Sequence, residues 1–148
     1  MTRTFETPAL GTTILRLIVG IIFIAHGAMK AFGFGTAGTA GFLDSVGVPM
    51  ASLMAPVLIA TELGGGILLV LGLLTRYVSI PLAFTMVVAI ATVHLPHGFF
   101  LPQGYEFALL VGAGLLTLAL QGSGACALDN IIGRHRTVVR GQELRQAA

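Results

Sequence analysis

Long apolar runs that carry almost no charge constrain this chain more than any other feature. The 148 residues are 55% hydrophobic and 9% charged, whereas about 25% of residues are charged in an ordinary soluble domain. So few charges cannot cover the surface of a water-soluble body of this size. Disorder is excluded as well, because it needs low hydrophobicity and high charge. The composition therefore predicts an integral membrane protein built of helices.

Four runs approach the length of about 20 apolar residues that a helix needs to cross the hydrocarbon core. They cover about residues 10–29, 52–74, 77–95 and 105–121. The period-2 alternation of a membrane β-barrel is absent. We therefore expect an all-α integral membrane four-helix bundle, with one transmembrane domain over residues 1–148 and a basic tail over residues 129–148. Glu6 and Arg16 interrupt the pattern of a signal peptide, so the first run is expected to be a retained span.

The arginines are distributed unevenly between the two sides of these spans. Four spans place both termini on one side, where six arginines lie: Arg3, Arg76, Arg134, Arg136, Arg140 and Arg145. The other side has Lys30 alone among the lysines and arginines. The positive-inside rule then predicts cytoplasmic N and C termini in a multi-pass membrane protein. The formal net charge of +2 is too small to indicate nucleic-acid binding.

Arg16 and Glu62 are the clearest ionisable residues within the predicted spans. A charge at mid-bilayer costs at least about 2.5 kcal/mol on insertion scales, so both side chains are expected to face the bundle interior and find partners. In antiparallel helices their Cα atoms differ in depth by about 10 Å. A long guanidinium can cover much of that gap, which predicts a direct or water-bridged pair. Such a pair either fixes the register of the two helices or forms part of the lining of a ligand or proton site.

The first span also has an ordered face. Arg16, Gly20, Phe23, Gly27 and Lys30 recur at a spacing that places them on one stripe of a helix. Glycines on such a stripe allow close helix packing in membranes.

A second polar group is expected at the outer ends of the spans. It consists of His26, His94, His97 and Glu106, with Lys30 at its rim. Histidine changes charge near neutral pH, so this group fits proton exchange beside a redox ligand as well as ordinary interfacial hydrogen bonding. A metal site is not expected, because Pro96 separates the two close histidines and no second ligand cluster follows.

The order of local motifs resembles the DoxX family of small membrane proteins. LRLIVGIIFIAHGAMK (15–30) resembles the first helix of that family, and FLDSVGVP (42–49) resembles the loop before its second helix. ATELGGGILLVLGLLTR (60–76) resembles its Glu-and-glycine helix with a Thr-Arg turn. His94 and Glu106 resemble polar positions around its last loop. The resemblance covers about residues 14–120.

The resemblance implies a four-helix bundle in a bacterial or archaeal inner membrane that is linked to oxidoreductase systems. Members of the family include a membrane subunit of thiosulfate:quinone oxidoreductase and proteins tied to thiol or quinone stress. This chain has one cysteine, Cys126, and lacks haem-attachment and dinucleotide motifs. We therefore expect quinone as the possible cofactor, the lipid bilayer as surroundings, and a protein partner or a second copy of the chain. The catalytic residues are unknown at this stage.

Three functions remain open from the sequence. The first is a quinone-interacting component whose head-group contacts come from Arg16, His26, Lys30, Glu62, His94 and Glu106. The second is a non-enzymatic membrane anchor or assembly partner for a redox complex. The third is a small-solute or proton transporter, which ranks last because no selectivity-filter pattern is present.

Overall fold

A computed structural model of the chain describes residues 7–132, and this range contains helices and no strand. The predicted all-α fold is therefore confirmed. The helices are α1 (Thr7–Ala28), α2 (Gly35–Ser45), α3 (Ala51–Leu71), α4 (Thr75–Ala89) and α5 (Glu106–Gln121). A π-helical turn, Met29–Phe34, follows α1, and a second one, Ile90–His94, follows α4 and leads into the 3₁₀ turn Leu95–His97.

Three helical runs are long and apolar enough to cross a membrane by length and composition: Ala9–Ser45, Ala51–Leu71 and Thr75–His97. The helix α5 is apolar but has 16 residues, which gives a length of about 24 Å. That α5 forms a fourth span stays a prediction, as does the cytoplasmic location of the termini. Arg3 and the four arginines of the predicted tail lie outside the described residues.

The first of these runs is not one straight rod. The Thr39 hydroxyl donates to the Lys30 carbonyl over 3.3 Å, although nine residues of straight α-helix would separate them by about 13 Å. The chain reverses at Gly35, where φ is 67° and ψ is 173°. Glycine permits this backbone conformation without steric penalty. The helix α2 therefore folds back and packs on α3.

The bundle consists of two main helix pairs, α1 with α3 and α4 with α5. Side chains from all four of these helices form one apolar core: Val19, Phe23, Leu69, Leu82, Val111, Leu115 and Leu118. A smaller cluster of Leu43, Ala51 and Ala55 lies between α2 and the start of α3. Most other large apolar side chains are exposed, which is expected when lipid rather than water surrounds the helices.

Candidate functional site

An ion pair joins the end of α1 to the middle of α3. Lys30 Nζ lies 2.6 Å from Glu62 Oε2. The Glu62 side chain is 6% exposed and that of Lys30 is 19% exposed, so the pair is mostly covered but retains one accessible edge. It is the one ion pair found within residues 7–132. Lys30 belongs to the first π-helical turn, a type of helix distortion that occurs frequently at functional sites.

Close packing of α1 against α3 places these two residues side by side. A Cβ atom added to Gly27 would lie 2.6 Å from the Leu63 backbone nitrogen, and one added to Gly66 would lie 2.7 Å from the Ile24 nitrogen. Arg16, Gly20, Phe23 and Gly27 are all buried, which confirms the predicted stripe as the packing face of α1. The backbones therefore approach closely enough for Lys30 to reach Glu62.

The folded-back helix α2 packs on α3 and is tied to the backbone of Lys30. Thr39 is 1% exposed and holds the Lys30 carbonyl through its hydroxyl. Ala55 and Leu58 precede Glu62 by seven and four residues, so they lie on the same face of α3 and join it to the apolar cluster beneath α2. The site thus combines an ammonium donor and a carboxylate acceptor with adjacent apolar surface.

Arg16 lies at the opposite end of the bundle and is not part of this site. Fourteen helical residues separate it from Lys30, which corresponds to about 21 Å along the axis. It is 1% exposed, and its guanidinium donates to the carbonyls of four residues: Leu69, Val70 (2.7 Å), Ser123 (2.9 Å) and Cys126. The prediction of a direct Arg16–Glu62 pair is therefore wrong. The backbone carbonyls at the end of α3 are nearer to Arg16 than the Glu62 carboxylate is. They accept hydrogen bonds from a cation and carry the negative end of the helix dipole.

Asp129 completes this end of the bundle, and the sequence reasoning missed its role. Its two carboxylate oxygens accept from the backbone N–H groups of Leu74 (2.9 Å) and Thr75 (3.3 Å) at the start of α4. The tight turn between α3 and α4 is thus stabilised by the Arg16 cation at the end of α3 and by the Asp129 anion at the start of α4. Both charges have the sign that the helix dipoles favour. Asp129 is remote in sequence, so no local capping pattern pointed to it.

His94 and Glu106 are engaged with the backbone of the loop between α4 and α5. His94 Nδ1 lies 2.8 Å from the Gln103 carbonyl oxygen, and Glu106 Oε1 accepts from the Leu101 N–H over 2.8 Å. His97 Nδ1 lies 3.0 Å from the Val93 carbonyl oxygen. These contacts close the loop on itself, and none of them joins this loop to the Lys30–Glu62 pair.

His26 lies one turn before Lys30 on the same side of α1, and its side chain is exposed. Within residues 7–132 it makes no hydrogen bond with the protein. The structure therefore places Lys30, from the rim of the predicted outer group, in contact with Glu62, which the sequence had assigned to Arg16. His26 lies one turn away. A role for His94 and Glu106 in ligand binding or proton exchange stays a prediction. In the same range, no three His, Cys, Asp or Glu side chains form a group that could hold a metal ion.

The fold and this site define a multi-pass helical membrane protein with an ion pair inside the bundle. Residues 11–95 match the sequence profile of the DoxX family, and the chain belongs to that family. It is 42% identical to a Bacillus subtilis protein named "Putative oxidoreductase CatD", with coverage of 89% of this chain and 92% of the relative.

Two Escherichia coli relatives are named as inner membrane proteins. YqjF is 32% identical over 84% of this chain and 93% of its own length. YphA is 32% identical over 78% of this chain and 86% of its own length. No solved structure matches the chain. The membrane location is thus supported by the relatives and by the apolar helices together.

Proposed function

We propose that this DoxX-family protein is the quinone-interacting membrane component of an oxidoreductase system, and that the Lys30–Glu62 pair is its polar contact. One observation carries the proposal: a mostly buried ammonium–carboxylate contact of 2.6 Å lies within the apolar helices. Ionisable side chains are expensive in such surroundings, and they mark functional sites by default. A relative named as an oxidoreductase gives the direction of the chemistry.

The residues around the pair fit the head group of a quinone. A bound quinone takes up two electrons and two protons to become the quinol. In this proposal the electrons come from the reduced centre of a partner protein. The Lys30 ammonium would donate a hydrogen bond to a carbonyl oxygen of the ring, and the two protons would pass one after the other from the surroundings through Glu62. His26, exposed one turn away, exchanges protons with the surroundings. The exposed apolar side chains of α2 and α3, which include Phe42, Leu53 and Val57, offer a surface for the tail.

Quinone retained by the purified protein tests the proposal directly. The wild type, extracted in mild detergent, is expected to carry quinone above its ratio in the bulk lipid. Glu62→Gln and Lys30→Gln should reduce the bound quinone to the bulk ratio. Asp44→Asn is the matched control, because it makes the same carboxylate-to-amide change at an exposed residue of α2 whose side chain makes no hydrogen bond within residues 7–132.

A second measurement separates loss of binding from loss of fold. Thermal unfolding of each variant is followed in the same detergent, and Lys30→Arg retains the positive charge that Lys30→Gln removes. If wild-type protein carries quinone only at the bulk ratio, and quinone reduction in membranes is unchanged by Glu62→Gln, the proposal is wrong.

An assembly role is the second candidate, and the exposed face of α2 favours it. Gly41 has no atom within 4 Å of the position of an added Cβ, and Ala37, Ala40 and Gly41 line an open groove of about 730 Å³. Small residues of this kind allow another membrane helix to approach closely. Affinity isolation should then yield a stoichiometric partner, and Gly41→Leu should release it while quinone content stays unchanged.

We propose further that both termini lie in the cytoplasm. The turn with Arg76 then faces the cytoplasm, and the Lys30–Glu62 pair lies in the outer half of the bundle. Reporter fusions at residue 148 and in the loop at residues 98–104 test this, since the two fusions should report opposite sides of the membrane.

A further inference from the structure

A polar cleft opens at the end of the bundle that contains the turn between α3 and α4. Its volume is about 660 Å³, which is within the range of small-molecule sites. It is bordered by the start of α1, the start of α4, the end of α5 and the segment after α5. The polar side chains that line it are Thr12, Arg76, Tyr77, Gln121, Ser123, Asp129 and Asn130. Because Lys30 and Glu62 are near the other end of α1, this cleft is separate from the site proposed above.

The cleft contains one cation without a counter-charge. Among residues 7–132, Arg76 forms no ion pair, and its only hydrogen bond is a long one of 3.4 Å to the Gln121 carbonyl. The one carboxylate in the cleft, that of Asp129, already accepts from two backbone N–H groups. A guanidinium carries five donors, so most of the donors of Arg76 remain available. Arg16, at the same end of the bundle, forms no ion pair either, so among residues 7–132 two guanidinium groups lie near one carboxylate here and the net charge favours an anion.

The backbone at Gly122 leaves room for the Arg76 side chain and so helps to position it. Its side chain lies over Gly122, and a Cβ atom on Gly122 would be 3.1 Å from Arg76 Nε. Gly122 has a φ of 92°, a conformation that side-chain-bearing residues rarely adopt. The neighbouring Gln121 accepts the Thr12 hydroxyl through Oε1 over 2.8 Å, which leaves its amide NH₂ group to donate. A neutral donor thus stands beside the guanidinium.

The rim of the cleft is apolar on the side that faces lipid. Leu74 is 51% exposed and Tyr77 is 73% exposed, and both border the cleft. Leu10, in the first part of α1, is 57% exposed. A tyrosine with exposed leucines is typical of the depth where head groups meet acyl chains. An occupant that is anionic at one end and apolar at the other matches this arrangement better than a free anion does.

We propose that this cleft binds the phosphate group of an anionic phospholipid, with Arg76 as its charged contact and Gln121 and Tyr77 as neutral donors. The guanidinium fork matches phosphate oxygens geometrically. The acyl chains lie against the exposed leucines at the rim. Four further arginines follow Ile132 in the sequence, and basic segments next to a membrane span attract anionic lipids.

Native mass spectrometry of the full chain, titrated with phosphatidylglycerol or phosphatidylcholine, tests the proposal. Phosphatidylglycerol should bind with measurable stoichiometry and phosphatidylcholine more weakly. Arg76→Gln should reduce the apparent affinity for phosphatidylglycerol about tenfold, as expected for loss of one charge-assisted contact. Arg76→Lys should retain part of it. Arg134→Gln, which removes the same charge from the basic tail, should reduce the affinity less than Arg76→Gln does.

Two further measurements are needed. One identifies the source of the phosphate group, and the other checks that the variants are folded. Inorganic phosphate at the same concentration should not raise the unfolding temperature, whereas phosphatidylglycerol should. An equal increase from inorganic phosphate would overturn the assignment to lipid. An equal loss of affinity in Arg76→Gln and Arg134→Gln would overturn the assignment to the cleft. The unfolding temperature without lipid should be similar for wild type and Arg76→Gln, because Arg76 makes one weak contact with the protein.

Discussion

Lys30 Nζ contacts Glu62 Oε2 at 2.6 Å, and this contact links the distorted end of α1 to the centre of α3. The pair exists because glycines bring the two helix backbones together and because α2 folds back to hold the Lys30 carbonyl. Arg16, the other strong cation of α1, is bound to backbone carbonyls at the far end of α3. Lys30 and Arg16 therefore have different partners at opposite ends of the bundle.

Glu62→Gln should destabilise the protein, because it leaves the Lys30 ammonium without its counter-charge inside the bundle. We expect a loss of about 3 kcal/mol in the free energy of unfolding, at the lower end for buried pairs since Lys30 retains some exposure. The double variant Lys30→Gln with Glu62→Gln should recover part of the loss. Reversible unfolding in mixed micelles measures both values. Equal stability of Glu62→Gln and wild type would show that the pair contributes nothing.

Arg16→Lys should also destabilise the protein, although it retains the positive charge. A single ammonium cannot reproduce the planar fork that reaches α3 and the segment after α5, so at least two charge-assisted hydrogen bonds are lost. At about 1.5 kcal/mol each, the expected loss is about 3 kcal/mol. Arg76→Lys is the matched control, and its stability should change by less than about 0.5 kcal/mol. Similar stabilities for the two variants would contradict the prediction.

Gly66→Ala should separate α1 from α3, whereas Gly64→Ala should not. An added methyl group at Gly66 meets the Ile24 nitrogen at 2.7 Å and the Gly20 oxygen at 2.8 Å, while the same group at Gly64 meets nothing within 4 Å. Overpacking of this kind costs about 1–3 kcal/mol. Thermal unfolding of the two variants in one detergent provides the comparison. Cross-linking between α1 and α3 should decrease only in Gly66→Ala, and equal behaviour of both variants would refute the close approach.

Asp129→Ala should loosen the start of α4. The carboxylate caps the Leu74 and Thr75 N–H groups, and loss of such a cap costs about 1 kcal/mol. Asp129→Asn should retain most of the stability, because asparagine caps helices about as well as aspartate does. Hydrogen exchange at residues 74–76 should accelerate in the alanine variant and much less in the asparagine variant. Unchanged exchange after Asp129→Ala would show that the cap has no effect.

The helical fold and the packing face of α1 were predictable because they depend on local patterns. Apolar length determines which segments can span lipid, and the spacing of Arg16, Gly20, Phe23, Gly27 and Lys30 determines one helical stripe. These properties follow from residues that lie within a few turns of one another.

The partners of the charged residues were not predictable in the same way. The sequence indicated that Arg16 and Glu62 need partners, and a depth difference of about 10 Å left a direct pair open. The partners of Arg16 include Ser123 and Cys126, more than 100 positions away in the chain. Asp129 reaches α4 across 55 positions. No periodicity within a helix reports such contacts.

The sequence by itself determined that lipid surrounds the helices and that their few charges must turn inward, because unpaired charge in hydrocarbon is expensive. Tertiary structure alone decided which charges meet. The reversal at Gly35 and the close approach at Gly27 and Gly66 assign Lys30 to Glu62. Arg16 binds the end of α3 because the last carbonyls of that helix have no partner within the helix. They lie nearer to the guanidinium than the Glu62 carboxylate does.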